Sequence, residues 1–293
     1  MNTTEVYLDH AATTGVHPEV LEAMLPYFGP EFGNPSSAHQ KGQTARYAVQ
    51  EARERVAAVL GCAPSEVVFT SGGTESINLA IKGIVKAAER AGHIITTAIE
   101  HHAVLHTVEQ LEREGYSATV LPVSPEGILD PDEVARAIRP DTRLISVMYA
   151  NNEIGTIQPL REVARIGREA GVPVHSDCVQ AAGSIPLDVA ELGVTALALS
   201  GHKFYAPKGV GIMYVREGTP LQPQQQGGGQ ESGRRSGTEN VPYIVGIAAA
   251  LERAARRRKM YNAHCRELRD LLIQRIQAEL PDARLNGHPT ERL

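Results

Sequence analysis

Hydrophobic positions along the chain alternate between two patterns. Short apolar runs predict strands at 67–70, 94–97, 119–122, 144–149, 172–175, 196–200 and 210–215. Between them, apolar residues at helical spacing predict helices over 18–27, 38–60, 74–91, 103–114, 131–138 and 160–170. This alternation is typical of a mostly parallel sheet covered by helices on both faces, so we predict an α/β fold.

The pattern changes after residue 215. A polar, glycine-rich loop at 222–237 is followed by one long helical pattern at about 241–280. We predict a large domain over 15–255, with residues 1–14 and 256–293 forming an N-terminal segment and the long helix of a small domain. The residues after that helix contain no complete element, so we expect the small C-terminal domain to be incomplete in this chain.

Composition narrows the class of protein. With 293 residues, 42% of them hydrophobic, the chain fits a soluble globular protein. The net charge of -5 argues against a nucleic-acid partner. No apolar stretch approaches the roughly eighteen residues that a membrane span needs, so we predict no membrane association and a cytoplasmic location. The three cysteines, Cys62, Cys178 and Cys265, lack metal-ligand spacing and are odd in number, which favours reduced thiols.

Candidate chemistry begins at two neighbouring predicted strands. Lys203 closes Ser200-Gly201-His202-Lys203 directly after one strand, and Asp177 and Gln180 follow the strand before it. Pyridoxal phosphate (PLP) needs a lysine that holds its aldehyde as an imine and an acid that keeps its ring nitrogen protonated. A lysine and a carboxylate at one edge of a sheet therefore suggest a PLP site, although a lone lysine in this position is usually a surface residue.

Two segments could bind an anion such as a phosphate. Thr70–Ser76 follows a strand and opens a helix, so its backbone N–H groups, at Gly73 and Thr74 above all, form a cradle. The loop lacks the lysine of a nucleotide P-loop and could equally be a capping turn. Arg234–Thr238 offers a second anion-type site just before a helix, and it could serve the cofactor of a neighbouring subunit.

Further polar residues follow the same strands. His101 could stack on a cofactor ring and exchange protons with substrate, whereas a histidine in such a loop is more often structural. Asn151 and Asn152 could donate to the ring or the substrate, or could simply form a turn. Ser200 and His202 could add donors to the phosphate.

Several segments occur together in a definite order and spacing. They are Tyr7–Thr14, Phe32–Ser37, Phe69–Ser76, Asn151–Gly155, Ser200–Lys203 and Arg235–Thr238. In this order they resemble aminotransferase class V proteins of the cysteine desulfurase group, over essentially the whole chain. The resemblance implies the fold type I of PLP-dependent transferases, with a mostly parallel seven-stranded sheet between helices.

The resemblance also implies roles for individual residues. Lys203 forms the imine with PLP, Asp177 pairs with the pyridine nitrogen, and His101 stacks on the ring. Lys203 and His101 are the candidate catalytic residues. The other cofactor contacts, to the phenolate side or substrate and to the phosphate, are Gln180, Asn152, Gly73, Thr74, Ser200, His202 and, from the partner subunit of a homodimer, Thr238.

The activity implied is conversion of L-cysteine to L-alanine. The sulfur stays on an enzyme cysteine as a persulfide and passes to an iron–sulfur scaffold protein or another sulfur acceptor. The family's persulfide cysteine and substrate-carboxylate arginine would fall beyond Leu293, so we expect this chain to bind PLP but to be inactive alone. Ser232 is a further departure, because relatives often carry arginine there.

Two other interpretations stay open. A selenocysteine lyase or another class V PLP enzyme would share the lysine, the aspartate and the phosphate cradle. A non-catalytic PLP-binding half-enzyme or scaffold subunit would fit a chain that stops before the catalytic cysteine.

Overall fold

The computed structural model describes residues 6–293, which are built around a seven-stranded sheet. The strands are β1 (Val67–Thr70), β2 (His93–Thr97), β3 (Ser117–Leu121), β4 (Thr142–Ser146), β5 (Val174–Asp177), β6 (Ala196–Ser200) and β7 (Gly211–Val215). Their spatial order is β1-β7-β6-β5-β4-β2-β3. β7 runs antiparallel to β1 and β6, and the other pairs are parallel. The predicted α/β fold with a mostly parallel seven-stranded sheet is therefore confirmed.

Helices cover both faces of the sheet. They are α1 (Pro18–Met24), α2 (Gln40–Leu60), α3 (Gly73–Lys86), α4 (His102–Arg113), α5 (Pro131–Ala137), α6 (Leu160–Glu169), α7 (Val189–Leu192) and α8 (Val241–Glu279). Ile94 and Leu144 belong to one buried cluster with α3 and α4, and Ile95 and Ile145 belong to the cluster on the opposite face. Side chains alternate between the faces of a strand, and each fully buried isoleucine or leucine contributes about 1.5–3 kcal/mol, so both layers stabilise the sheet.

Two strand boundaries differ from the predictions for identifiable reasons. β4 ends before 149, because the Met148 N–H donates to the carboxylate of Glu100 at 2.8 Å. β5 starts after 172, because the Val172 N–H bonds back to the Gly167 carbonyl and Pro173 has no N–H to donate. The single-turn helix α7 was absent from the predictions.

α8 changes character along its length. Its first part is buried, as at Ile247 and Leu251, and packs on α1 and α2. Its later part exposes apolar side chains, among them Leu268 and Leu272. The domain limits at 15–255 and 256–293 stay predictions. Within residues 6–293, no helix is both long enough and apolar enough to cross a bilayer.

One edge of the sheet collects the polar residues. The parallel strands β2, β4, β5 and β6 end there, and the loops that follow them carry the candidate chemistry. The N-terminal segment packs against this edge: the Thr14 N–H and hydroxyl both donate to the His202 carbonyl, at 2.8 and 2.9 Å. Thr14 Oγ1 also accepts from the Tyr205 N–H at 2.8 Å. These bonds hold the loop after β6 in place.

Candidate active site

A cavity of about 300 Å³ opens at the carboxyl edge of the sheet. It is lined by Ala12, Gly73, Thr74, Ile77, His101, Met148, Asn152, Asp177, Val179, Gln180, Ser200, His202 and Lys203. Nine of the candidate residues thus meet in one place, although they are spread along the chain. Thr238 is the candidate that lies elsewhere.

Lys203 ends a short 3₁₀ turn after β6 and is partly buried. Its Nζ donates to the Ala11 carbonyl of the N-terminal segment. Burial lowers the pKa of Lys203, while nearby carboxylates, Asp177 first among them, oppose that shift. The amine consequently reaches its neutral, nucleophilic form more easily than an exposed lysine does.

Asp177 is the last residue of β5 and is buried. One carboxylate oxygen accepts from the Val179 N–H at 2.9 Å. Burial raises the pKa of Asp177, and the Val179 N–H and the positive charge of Lys203 act against this rise. A cationic ring group placed beside Asp177 would favour the carboxylate in the same way.

Gln180 lines this cavity and has one unsatisfied polar atom. Its Oε1 is buried and accepts no hydrogen bond from the described residues. An unpaired buried acceptor costs about 1–3 kcal/mol, which a donor on a bound molecule would offset.

The loop after β2 fixes His101 at the mouth of the cavity. His101 is exposed and caps α4, with its Nδ1 accepting from the Ala103 N–H at 3.0 Å. This bond gives the neutral ring its proton on Nε2. The structural interpretation of His101 as a helix cap is compatible with the predicted functional one, because only Nδ1 is used by the cap.

The two asparagines after β4 differ in their contacts, although the sequence allowed either one to form a turn or to face the cofactor. Asn151 is a turn former: its Oδ1 accepts from the N–H groups of Glu153 and Ile154, and its Nδ2 donates to the Ile99 carbonyl at 2.9 Å. Asn152 lines the cavity, with its Nδ2 donating to Glu153.

The N-terminus of α3 forms another wall. No side chain caps this helix, so N–H groups of its first turn are available to an anion. Gly73 is packed so closely that an added Cβ would lie 2.8 Å from Val179 Cγ2 and 3.1 Å from Ser200 Cβ. A side chain at position 73 would therefore displace the wall of the cavity.

His202 connects this wall to the N-terminal segment. Its Nδ1 lies 3.2 Å from Thr13 Oγ1. Burial lowers the pKa of His202, and the charges of Lys203 and Lys208 lower it further, so the ring is neutral at pH 7. The sequence alone assigned no role to Ala12, Thr13 and Thr14. The signal that could have pointed to them is their place in Tyr7–Thr14, one of the segments that carry the family resemblance.

Thr238 lines a separate cavity of about 150 Å³, next to Thr70 and Ser71. Its loop is tied to α3 by Arg235, whose Nε donates to Glu75 at 2.7 Å. Within one chain, Thr238 is thus near the start of α3 but outside the cavity that holds Lys203.

The sequence also gave no role to Glu100, which is buried directly before His101. Burial raises its pKa to about 8, and the charge of Asp177 adds to this effect. A buried carboxyl group beside a second one is a feature of functional sites, and residue order alone does not reveal it.

Comparison with known proteins gives one family. The aminotransferase class-V family model matches residues 6–293. A cysteine desulfurase IscS of Methanosarcina thermophila is 52% identical over 289 residues, which cover 98% of this chain and 71% of that protein. A solved NifS-like protein superposes with a TM-score of 0.90 at 45% identity, covering 92% of this chain and 75% of that one. A structure described as SspA in complex with cysteine superposes with a TM-score of 0.83 at 44% identity, covering 85% and 72%. The chain therefore belongs to the aminotransferase class V family, within its cysteine desulfurase group.

Proposed function

We propose that this protein is a PLP-dependent cysteine desulfurase that converts L-cysteine to L-alanine and gives up the sulfur atom to an acceptor. The observation that carries the proposal is the meeting of Lys203 and Asp177, from neighbouring strands, in one cavity with the uncapped N-terminus of α3. The names of the relatives support the choice of reaction.

The residues of the cavity fit PLP at both ends. The free N–H groups of α3, with Thr74, Ser200 and His202, would hold the phosphate. Asp177 would hold the ring nitrogen, and Gln180 lines the same cavity. When bound, PLP supplies an electron sink for the substrate's α-carbon.

Proton handling falls to Lys203 and His101. Burial lowers the pKa of Lys203, which makes the neutral amine easier to reach, so Nζ would take up a proton from the substrate and return it. His101 presents Nε2 as its free ring nitrogen, because Nδ1 is engaged by the helix cap. The Ala11 carbonyl orients the lysine towards the cavity from the N-terminal side.

Sulfur transfer needs a thiolate nucleophile. Burial raises the pKa of Cys62 and Cys178 to about 12, so neither supplies a thiolate at neutral pH. Cys265 is exposed and lines a second cavity of about 770 Å³ that also includes Lys203 and Gln180. Cys62 and Cys178 are therefore not the persulfide cysteine that we propose.

Partners follow from the same proposal. Thr238 lies outside the cavity of its own chain, which supports a homodimer in which this loop reaches the partner's phosphate site. The sulfur acceptor would be an iron–sulfur scaffold or another carrier protein. A cytoplasmic location stays a prediction.

Cofactor binding is tested by trapping. The purified protein is saturated with PLP, reduced with borohydride and digested, and the labelled peptide is identified by mass spectrometry. We expect the label on Lys203 and its loss in K203R, while K208R, which changes an exposed lysine five positions on, keeps it. A label on another lysine in the wild type would refute the assignment of the site.

The reaction is tested separately, with the protein extended to the length of its relatives. Excess dithiothreitol is present, because it reduces the persulfide sulfur and releases it as sulfide; the alanine and sulfide formed from L-cysteine are measured beside the alanine formed from L-selenocysteine. Equal amounts of alanine and sulfide from L-cysteine support a desulfurase. Alanine from L-selenocysteine alone indicates a selenocysteine lyase, and PLP binding with no release from either amino acid indicates a non-catalytic subunit.

A further inference from the structure

Glu100 ties three segments together beneath the cavity. Its Oε1 accepts from the Thr97 hydroxyl at 2.7 Å, at the end of β2, and from the Met148 N–H at 2.8 Å, just after β4. Both bonds are buried. Met148 lines the cavity, and so does His101, the residue that follows Glu100. The position of the Glu100 carboxyl group therefore sets the distance between these two parts of the cavity wall.

A second bond holds the same loop from the other side. Asn151 Nδ2 donates to the Ile99 carbonyl at 2.9 Å. His101 is thus carried by a loop anchored at the two residues before it, and its own ring is anchored by the helix cap. Its ring can change direction little unless one of these bonds breaks.

The environment of Glu100 has no compensating cation. Its Oε2 is buried without a partner, and no lysine or arginine among residues 6–293 forms an ion pair with it. The charged neighbour that acts on it is Asp177, which is also buried. The other titratable groups around the two carboxyls are His101 at the N-cap of α4, Lys203 after β6, and His175 and Cys178 in and after β5.

These neighbours do not favour a second negative charge. Lys203 and His101 stabilise the carboxylate of Asp177. Burial lowers the pKa of His175 to about 3 and raises that of Cys178 to about 12, so both are uncharged at pH 7. An ionised Glu100 would be a buried charge with two hydrogen-bond donors but no cation beside it, and burial outweighs the two bonds, so the proton is kept.

We propose that Glu100 is a positioning residue that works as an uncharged carboxyl group. It fixes the loop that carries His101 against the end of β4, and Asp177 is then the residue that carries the negative charge at this part of the cavity. The proposal rests on the PLP site described above. It assigns a function to a residue that touches neither the cofactor nor the substrate. The pKa of about 8 agrees with this protonation state at pH 7.

The charge state is tested by infrared spectroscopy. The C=O band of protonated carboxyl groups is compared between wild type, E100Q and the control E112Q, which removes an exposed carboxylate from α4. We expect a wild-type-minus-E100Q band at about pH 7 that disappears with a midpoint near pH 8, and no such band for E112Q. Absence of the band at pH 7 would overturn the proposal, and this readout does not depend on PLP.

The positioning role is tested with the PLP-loaded protein. PLP dissociation constants and the absorbance of bound PLP are measured for wild type, E100Q and E100M. Glutamine keeps the acceptor oxygen and is neutral, so its affinity is expected within about twofold of wild type. Methionine leaves two buried donors unpaired, so affinity is expected to fall roughly tenfold or more. An E100M protein that matches wild type in both readouts would overturn the proposal, as would an E100Q protein as impaired as E100M.

A milder variant covers the case in which E100M does not fold. T97V removes one of the two donors to Oε1, and we expect a loss of PLP affinity of about threefold. Unchanged affinity in T97V would then count against the positioning role. Failure of the wild type to retain PLP on Lys203 would instead count against the proposed function, and the infrared result would still stand.

Discussion

Arg53 and the buried Glu231 form a bidentate ion pair, with nitrogen–oxygen distances of 2.8 and 2.7 Å. The Glu231 carboxylate also accepts from the Phe69 N–H at 2.9 Å, and the guanidinium lies 4.9 Å from the centre of the Phe69 ring. Glu231 and Ser232 have φ values of 50° and 58°, in the left-handed region that non-glycine residues avoid. The ion pair thus holds a strained loop against β1, next to the phosphate end of the site.

Removing one member of this pair should be costly. We expect E231A to lower the free energy of unfolding by about 2–3 kcal/mol, because it leaves the Phe69 N–H unpaired and the partly buried Arg53 charge without its carboxylate. The measurement is urea unfolding followed by circular dichroism. E169A, which breaks an exposed pair with Arg165, is the control and should change the value by less than about 0.5 kcal/mol.

A double variant separates the charge from the packing. R53M/E231L removes both charges and should recover part of the loss, since an apolar pair often replaces a buried ion pair without penalty, while the Phe69 N–H stays unpaired as in E231A. Equal stability of E231A and wild type would show that the pair is not what holds the loop.

Gly73→Ala should weaken PLP binding. The new Cβ would come within 2.8 Å of Val179 Cγ2, and such overpacking costs about 1–3 kcal/mol, or roughly tenfold in the dissociation constant. G15A is the control, because nothing lies within 4 Å of the added Cβ. The double variant G73A/V179A should regain affinity, and a G73A protein with wild-type affinity would contradict the crowding that the structure shows.

Much of the fold and of the cavity could be predicted because the polar candidate residues follow the carboxyl ends of the predicted strands. Asp177 and Ser200 each end an apolar run, and parallel strands bring such residues to one edge. The same logic placed His101 and Asn152 after their strands. What each side chain would contact there, as in the division between Asn151 and Asn152, depended on turn geometry that the pattern does not contain.

The contacts that the sequence did not reveal join residues that are far apart along the chain. Glu231 meets Arg53 across 178 positions, and the N-terminal Thr14 meets His202 across 188. Glu100 was overlooked for a different reason. A carboxylate beside two histidines suggests a solvated loop, and only the packed end of β4 makes it a buried acceptor.

The thiols should differ sharply in reactivity. Burial raises the pKa of Cys178 and Cys62 to about 12, whereas Cys265 is exposed on α8. Since thiolates are the nucleophiles, we expect iodoacetamide at about pH 7.5 to alkylate Cys265 and to leave the other two unmodified until the protein is unfolded in urea. Peptide mass spectrometry before and after unfolding provides the measurement. Alkylation of Cys178 in the folded protein at a rate similar to Cys265 would show that its burial is not maintained in solution.

Glu100 should make the folded state less stable as pH rises. Its pKa is about 8 in the folded protein against an ordinary value of 4.5, so between these values the unfolded chain has lost a proton that the folded one keeps. Stability from this group is complete below about pH 4.5, falls by up to about 1.4 kcal/mol per pH unit, and levels off above about pH 8. Burial of His175 acts in the opposite direction at lower pH, but wild type and E100Q share it, so their difference isolates Glu100. We therefore expect urea unfolding at about pH 5 and pH 8 to show wild type losing a few kcal/mol relative to E100Q, while E112Q follows wild type. Parallel pH curves for wild type and E100Q would mean that Glu100 is ionised in the folded protein, and the proposal of an uncharged Glu100 would then have to be abandoned.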